Sequence, residues 1–300
     1  MLAIVIPYYK LTFFRETLNS LSAQTNQRFR VYIGDDASPE NPQNLLQEFQ
    51  GKFDYVYKRF SENLGSSSLT RQWERCIEMS VNEEWFMVLG DDDVLSEKVV
   101  EKFYENLSLI AHSSHAVRFS SQVIDEAGDP VAKRYFQPQY EDAIHSYYRK
   151  FKGENRGSLS EFIFRRSQYE KFKFKNYPLG WTADDRAVID FSEGKMIYSI
   201  NDAVVFFRKS ASHISSRLDN MELKSQAHLA SMKDLIADYR PAMGKEKLTF
   251  FIRVYENQIL SFNKVKFKYY RDLFYLYLRY RNRKEIWVLS KSVIAKFLKW

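Results

Sequence analysis

Three carboxylates stand side by side at Asp91-Asp92-Asp93, directly after the apolar run Trp85 to Leu89 and Gly90. Like charges repel, so such a cluster costs stability unless a cation neutralises it. Hard divalent ions such as Mg2+ and Mn2+ take oxygen ligands and commonly join one or two carboxylates to substrate phosphates. A divalent ion bridging a diphosphate is therefore the partner this cluster suits. The competing reading is a solvated acidic turn leading into the next helix, because Asp is a frequent turn residue. A second pair, Asp35-Asp36, follows a strand-like stretch, Phe29-Arg30-Val31-Tyr32-Ile33, and Gly34. Paired Asp at a strand end can accept hydrogen bonds from the N–H of a base or from ribose hydroxyls. An Asx turn into Ser38-Pro39 competes, above all for Asp35. A third pair, Asp184-Asp185, lies within Trp181 to Phe191. The chain has one cysteine, Cys76, which reads as a small buried residue of a helix rather than a nucleophile. A single cysteine excludes an intrachain disulfide framework and suits a reducing compartment. No phosphate-binding P-loop and no Gly-x-Gly-x-x-Gly follows the first strand, and no His/Cys cluster has zinc spacing.

These residues need elements to position them. Residues 2–6 form a continuous apolar run ended by Pro7, the pattern of a strand buried on both faces. Residues 12–24 read as a helix with Phe13, Phe14, Leu18 and Leu21 on one face, and 29–33 as a second strand. Asn41-Pro42 starts a helix, Asn as cap and Pro at the first helical position, which Gly51 can end. Strands are expected at 54–58 and 85–89, a polar loop at 61–68, and helices at 69–79 and about 97–110. This alternation implies a right-handed, three-layer α/β domain. In such sheets ligands bind beyond the carboxyl ends of the strands, so Pro7-Tyr8-Tyr9, Asp35-Asp36 and Asp91-Asp92-Asp93 should meet at one edge. Past residue 115 the pattern changes: strands at 115–124 and 131–136 around a turn at 126–130, a helix at 158–174, and strands at 197–200 and 203–207. From about Leu218 the chain reads as helices rich in Tyr, Phe, Lys and Arg.

The run Ile4 to Tyr9, the turn Asp35-Asp36-Ala37-Ser38, the loop Asn63-Leu64-Gly65 and Gly90-Asp91-Asp92-Asp93-Val94-Leu95 together resemble family 2 glycosyltransferases of the GT-A fold, in order and spacing over residues 1–110. The likeness continues more weakly through Asp184-Asp185 and Arg208 to Ser215. The resemblance implies a nucleotide-sugar-binding half at 1–115, an acceptor-binding half of the same domain at 116–217, and a helical extension at 218–300. It implies a donor site formed by Pro7, Tyr9, Asp35, Asp36, Asn63, Arg71, Asp91 and Asp92, with Tyr9 stacked on the base and Asp36 bound to it. It makes Asp93 the principal ligand of Mn2+ or Mg2+, with Asp91 beside it and His213 in the segment that closes over the diphosphate. One of Asp184 and Asp185, Asp185 first, is the implied general base. The chain departs from the family in carrying Gly90 where Asp is usual and Lys10 where Asn is usual. Residues 140–181 are expected to supply the acceptor pocket, with Trp181 and Arg156 as contacts and a saccharide or lipid-linked saccharide as acceptor.

Charge is unevenly placed. Residues 264–300 hold eleven basic and two acidic residues, a net +9, whereas 1–263 carry −2. That balance speaks against nucleic-acid binding, which expects a basic body. In the tail Phe267, Tyr270, Phe274 and Tyr277 share a helical stripe, and Ile286, Val293, Phe297 and Trp300 continue the apolar theme. Such a basic amphipathic helix can lie on an anionic membrane; the competing reading packs it on the catalytic domain or on a second subunit in a homodimer. The N-terminus lacks a basic leader and cleavage site, and no run of about 18 apolar residues occurs, so a cytoplasmic location is expected, with the inner membrane face as a second possibility. The competing functions are sugar-1-phosphate nucleotidyl transfer and a non-catalytic sugar-binding module.

Overall fold

In the computed structural model, which describes residues 1–80, 82–210, 219–261 and 267–279, the N-terminal apolar run becomes β1 (Leu2–Tyr8). It is followed by α1 (Phe14–Ser22), β2 (Phe29–Asp35), α2 (Gln43–Gln47), β3 (Tyr55–Arg59), α3 (Leu69–Ile77) and β4 (Trp85–Val88). β1 pairs in parallel with β2 and β4, and β2 with β3. A strand with parallel neighbours on both sides and helices on both faces has no wet side, which is why Leu2 to Ile6 is apolar without alternation.

The chain continues through β5 (Val94–Leu95), α4 (Val99–Glu105), α5 (Leu107–Ser113), β6 (Ala116–Ile124), β7 (Tyr140–Glu141), α6 (Ala143–Phe151), β8 (Phe162–Arg165), α7 (Arg166–Phe172), α8 (Ala183–Ser192) and β9 (Ile197–Arg208). The sheet order is β3-β2-β1-β4-β8-β6-β9-β5, with β7 also paired to β9. β8 lies antiparallel between β4 and β6, and β6 runs parallel to β9.

Period-two geometry sorts the side chains into two cores. On one face Leu2, Ile4, Ile6, Val31, Ile33, Met87, Val117 and Ile163 pack with Leu18, Leu46, Val100 and Phe103 from α1, α2 and α4. On the other face Phe86, Phe164, Tyr169, Phe174 and Phe191 form an aromatic cluster, with ring centroids 5.2 to 6.4 Å apart. The three-layer α/β architecture expected from the alternation is present.

Four expectations are corrected. Residues 158–174 are not one helix: a 3-10 turn at Leu159–Glu161 leads into β8 and then α7. Phe162, Ile163 and Phe164 are buried on both faces, and a short apolar run of that kind has no periodicity to separate strand from buried helix. The helix expected over 97–110 divides at Asn106, whose side chain donates to Lys102 O and accepts from the Tyr198 hydroxyl. Residues 130–136 make only single bridges, Ser121 to Tyr135 and Ile124 to Pro130; Pro130 has no N–H to extend a ladder. The strands expected at 197–200 and 203–207 are one strand, β9, whose pairing with β6 shifts register between Phe119 and Ser120.

Met1–Asn220 form one compact unit and Met221–Trp300 another. In the second, α10 (Lys245–Ser261) packs on both α9 (Met221–Tyr239) and α11 (Phe267–Arg279). Leu229, Met232, Ile236, Phe251, Tyr255, Ile259 and Leu273 make its core. Tyr277 donates to Glu256, and Lys233 pairs with Asp272 at 2.6 Å. The inward stripe of α11 is Tyr270, Leu273 and Tyr277, whereas Phe274, Tyr275 and Leu278 are exposed. Ile286, Val293, Phe297 and Trp300 lie outside the described residues. Among the described residues no helix is long and apolar enough to cross a membrane.

The wedge position of β8 makes Phe164 a test of the sheet. Phe164→Ala should lower the unfolding free energy by about 3–5 kcal/mol, read as a lower urea midpoint; a midpoint within error of the parent would contradict the packing described.

Candidate active site

Parallel register aligns the strand ends. Tyr8 of β1 stands opposite Asp35 of β2, and Asp35 opposite Arg59 of β3. Just beyond β1, the backbone N–H groups of Tyr9 and Lys10 both donate to Asp91 Oδ2 at 2.8 Å. The Asp36 N–H donates to Tyr8 O at 3.1 Å, and the Ser38 hydroxyl to Tyr9 O at 2.5 Å. The ends of β1, β2 and β4 thus meet at one edge, with the Tyr9 ring exposed there.

Asp35 is fully buried and structurally committed. Its Oδ1 accepts from the Ser38 N–H at 2.8 Å, the Asx turn weighed from sequence, and its Oδ2 accepts from the Tyr57 hydroxyl and Arg59. Asp36 tethers the Asn63-Leu64-Gly65 loop. Its oxygens accept from the N–H groups of Leu64 at 2.7 Å and Gly65 at 2.9 Å and from Arg75. A Cβ at position 65 would stand 2.5 Å from Asp36 Oδ2, so only glycine lets the loop backbone approach this closely. Arg75 also lies over the Phe60 ring at 3.9 Å. Burial raises the Asp36 pKa, and the two loop N–H groups and Arg75 oppose that. Asn63 Oδ1 accepts from the Ser66 N–H at 2.8 Å and folds the loop on itself.

The acidic turn is held from several sides. Asp93 is buried; its Oδ2 accepts from the Ser160 hydroxyl and its Oδ1 from the Arg208 N–H at 3.0 Å. Ser160 Oγ in turn accepts from the Gly90 N–H at 3.1 Å. The Arg208 guanidinium, also buried, donates to the carbonyls of Asp92, Asp125 and Glu126 and pairs with Glu16 at 3.0 Å. A Cβ at position 90 would come within 3.0 and 3.1 Å of the Asp92 and Asp93 carboxylates, which gives a steric reason for glycine at that position. Burial first, and then the charge of Asp92, push both Asp91 and Asp93 up to about 7. Among the described residues no three His, Cys, Asp or Glu side chains form a ready metal cage. The implied role of Asp93 as principal metal ligand meets a carboxylate whose two oxygens are both engaged within the protein; Asp91 and Asp92 are the half-buried members of the turn.

Asp184 and Asp185 occupy the first turn of α8, where the positive end of the helix dipole favours anions. The backbone enters that turn through left-handed Leu179, Gly180 and Thr182. An open cavity of about 370 Å3, counting space open to solvent, lies over the pair, with Tyr147, Lys150, Arg156 and Arg118 in its walls. Lys150 Nζ is 2.5 Å from Asp185 Oδ1. α6, which carries Tyr147 and Lys150, is capped by Asp142 accepting from the His145 N–H. It is anchored by Arg118, buried on β6, donating to Ser146 and Glu141, with Arg149 closing the other side of Glu141 at 2.8 Å. Arg156 pairs with buried Glu161 at 2.7 Å and covers the Phe207 ring at 4.1 Å. Burial and Asp185 push Asp184 up to about 6 against the pull of Lys150.

The structure brings Pro7, Tyr9, Asp35, Asp36, Asn63, Asp91, Asp92 and Asp93 to one sheet edge, and Arg156 to the cavity of Asp184 and Asp185. Trp181 does not line that cavity. Arg71 is exposed at the start of α3, and Arg75, one helical turn later, is the arginine that reaches Asp36. His213 lies outside the described residues. Sequence reasoning missed Arg75 and Lys150, and placed Ser160 only within the 140–181 acceptor region, not on Asp93. Four-residue spacing from Arg71 could have pointed to Arg75; nothing local marks Ser160. Cys76 is buried beneath Gly34 in α3, the packed position read from the sequence, and burial raises its thiol pKa.

A parallel sheet edge that gathers acidic turns beside a walled carboxylate pair defines the GT-A class of sugar-nucleotide folds. The sequence model described as Glycosyl transferase family 2 matches residues 3–192, and the chain belongs to that family. Similar solved structures include S. aureus TarS 1–349 in complex with UDP-GlcNAc, with a TM-score of 0.63 at 15% identity, covering 92% of this chain and 79% of that one. TarS 1–349 without a named ligand gives 0.59 at 13% identity, covering 92% and 80%. An uncharacterised glycosyltransferase of Rickettsia conorii is 25% identical over 141 residues, 46% of this chain and 22% of the relative, so the match spans about a fifth of that protein.

If Asp36 is the loop tether, Asp36→Ala strands two half-buried N–H groups and Arg75. It should cost about 2–4 kcal/mol of stability, measured by urea unfolding; an unchanged midpoint would show that the 63–65 loop stands without it.

Proposed function

We propose that the chain transfers a sugar from a nucleotide-diphosphate-sugar to an acceptor hydroxyl with inversion, as a step in surface-polysaccharide assembly. The observation that carries this reading is the segment 155–161. Its Ser160 binds the acidic turn through Asp93, and its Arg156, Gly157 and Ser158 line the cavity of Asp184 and Asp185. One short stretch of chain thereby joins a diphosphate-type site to a base-type site.

The donor reading takes UDP-sugars first, because structurally similar TarS has been seen with UDP-GlcNAc and with UDP. Tyr9, exposed at the sheet edge, offers a ring to the base. Asp36 would share any contact to the base with Leu64, Gly65 and Arg75, while Asp35 holds the turn beneath it. Two half-buried carboxylates side by side in one turn, Asp91 and Asp92, fit a hard divalent cation, Mn2+ or Mg2+. Asp91 and Asp92 would hold it, with Asp93 fixing the turn. When bound, such a cation stabilises charge on a departing diphosphate. Asp185, with Asp184 adjacent, takes the proton of the acceptor hydroxyl as that oxygen attacks C1 of the sugar from the face opposite the diphosphate. The cavity walls, with Tyr147 and Arg156, would receive a saccharide or lipid-linked saccharide. Phe274, Tyr275 and Leu278 on α11, flanked by Arg271 and Arg279 in the +9 tail, suit contact with the anionic inner face of the cell membrane.

Asp185→Asn should lower transfer by about 10²–10⁴-fold with an unchanged melting temperature, assayed as UDP release from UDP-GlcNAc with a saccharide acceptor. Excess EDTA should stop transfer and added Mn2+ or Mg2+ restore it; full activity in EDTA would remove the cation from the reading. The full chain should float with anionic liposomes and a chain ending near Lys264 should not; equal flotation of the two removes the membrane contact.

A further inference from the structure

Two adjacent carboxylates in the first turn of α8 cannot both ionise without cost unless a cation stands by. Charged and titratable groups approach them from every element packed around α8. From α6 come Tyr147 and Lys150, from β6 Arg118, from the 155–161 segment Arg156, and from the turn before α8 Tyr177, while α7 carries Arg166 and Lys171. Most of the cations are committed elsewhere: Arg118 to Glu141, Arg156 to Glu161, Arg166 to Ser80 and the Glu83 carbonyl, and Lys171 to Glu193. Among the described residues Lys150 is the cation in contact with the pair. Its Nζ lies 2.5 Å from Asp185 Oδ1 and 3.3 Å from the Gly157 carbonyl oxygen, so the ammonium is pinned from two sides. The Asp185 side chain is 14% exposed and that of Lys150 31%, so water screens the contact only in part.

We propose that Lys150 is a positioning residue of the reaction: its ammonium, held between Asp185 Oδ1 and the Gly157 carbonyl, fixes the Asp185 carboxylate at the cavity wall beside Asp184. This rests on the reading of the pair as the acceptor's base. The electrostatics agree with the geometry. Burial opposes the Lys150 ammonium, yet Asp185 and Asp184 together hold its pKa above the ordinary value. Asp184 is pushed up to about 6 by burial and by Asp185, with Lys150 opposing. Burial, and then the two aspartates, raise Tyr147 well above its usual value, so its phenol stays neutral and does not compete for the acceptor proton.

The test is a pH titration of the full chain labelled with 13C at the Asp carboxyl carbons, with Asp184→Asn and Asp185→Asn assigning the signals. Neighbouring acids titrate as a pair, so both signals are followed. In Lys150→Met the Asp184 midpoint should move up by about one unit or more, and Lys150→Arg should return it close to the parent value. The acidic limb of the transfer pH profile should move the same way, with kcat reduced below pH ~7 and the donor KM unchanged. An unmoved midpoint in a Lys150→Met protein that melts like the parent overturns the proposal. Should Lys150→Met fail to fold, Lys150→Gln is titrated with the same two outcomes. The titration needs no substrate, whereas UDP release by Asp184→Asn and Asp185→Asn decides whether the pair is the base at all. Failure of one is therefore distinct from failure of the other.

Discussion

The carboxylate of Asp93 is the knot on which the site depends. Three acids in one turn at the edge of a dry sheet repel one another, and the turn keeps its shape because Asp93 is bound on both oxygens, by the Ser160 hydroxyl and the Arg208 N–H. Arg208 extends the knot through its guanidinium to the Asp92 carbonyl, the 125–126 turn and Glu16 of α1. Asp91 completes it from the other side by accepting from the backbone that leaves β1. Three separate stretches of chain, residues 9–10, Ser160 and Arg208, are thus fixed to the acidic turn by hydrogen bonds that exist only while that turn is folded.

β8 sets the distance between the two halves of the site. It enters antiparallel between β4 and β6, so the 3-10 turn that precedes it is delivered to the edge where β4 ends. That turn carries Ser160 to Asp93 and Glu161 to Arg156. The aromatic cluster of Phe86, Phe164, Tyr169, Phe174 and Phe191 then locks α7 and α8 against the sheet, and with α8 the Asp184-Asp185 pair. Packing on one face of the sheet and hydrogen bonding at its edge therefore act on the same geometry.

Charge in the cavity is arranged by pairing rather than by a surplus of one sign. Arg118 and Arg149 share Glu141, Arg156 takes Glu161, and Lys150 takes Asp185. The buried Arg118–Glu141 contact contributes orientation more than net stability, since desolvation offsets much of the attraction between buried charges. Its effect is to hold α6 at a fixed angle, and α6 is the element that brings Lys150 to the aspartates.

The sequence by itself determined the parallel half. Leu2 to Ile6 and Trp85 to Leu89 are apolar runs ended by Pro7 and Gly90, and Phe29 to Ile33 is apolar but for Arg30; backbone pairing leaves such runs few alternatives to a doubly covered sheet. It also determined which acidic turns lie at the sheet edge, because strand ends in a parallel sheet share one side. Only the tertiary structure decided that Phe162 to Arg165 is a strand, because a short run buried on both faces takes its conformation from its neighbours, not from its own period. It likewise decided that Arg75 rather than Arg71 meets Asp36, that Ser160 binds Asp93, and that Lys150 stands on Asp185. Each of these contacts joins residues brought together by packing, and hydrogen bonds and ion pairs act over a few ångströms in space whatever the distance along the chain.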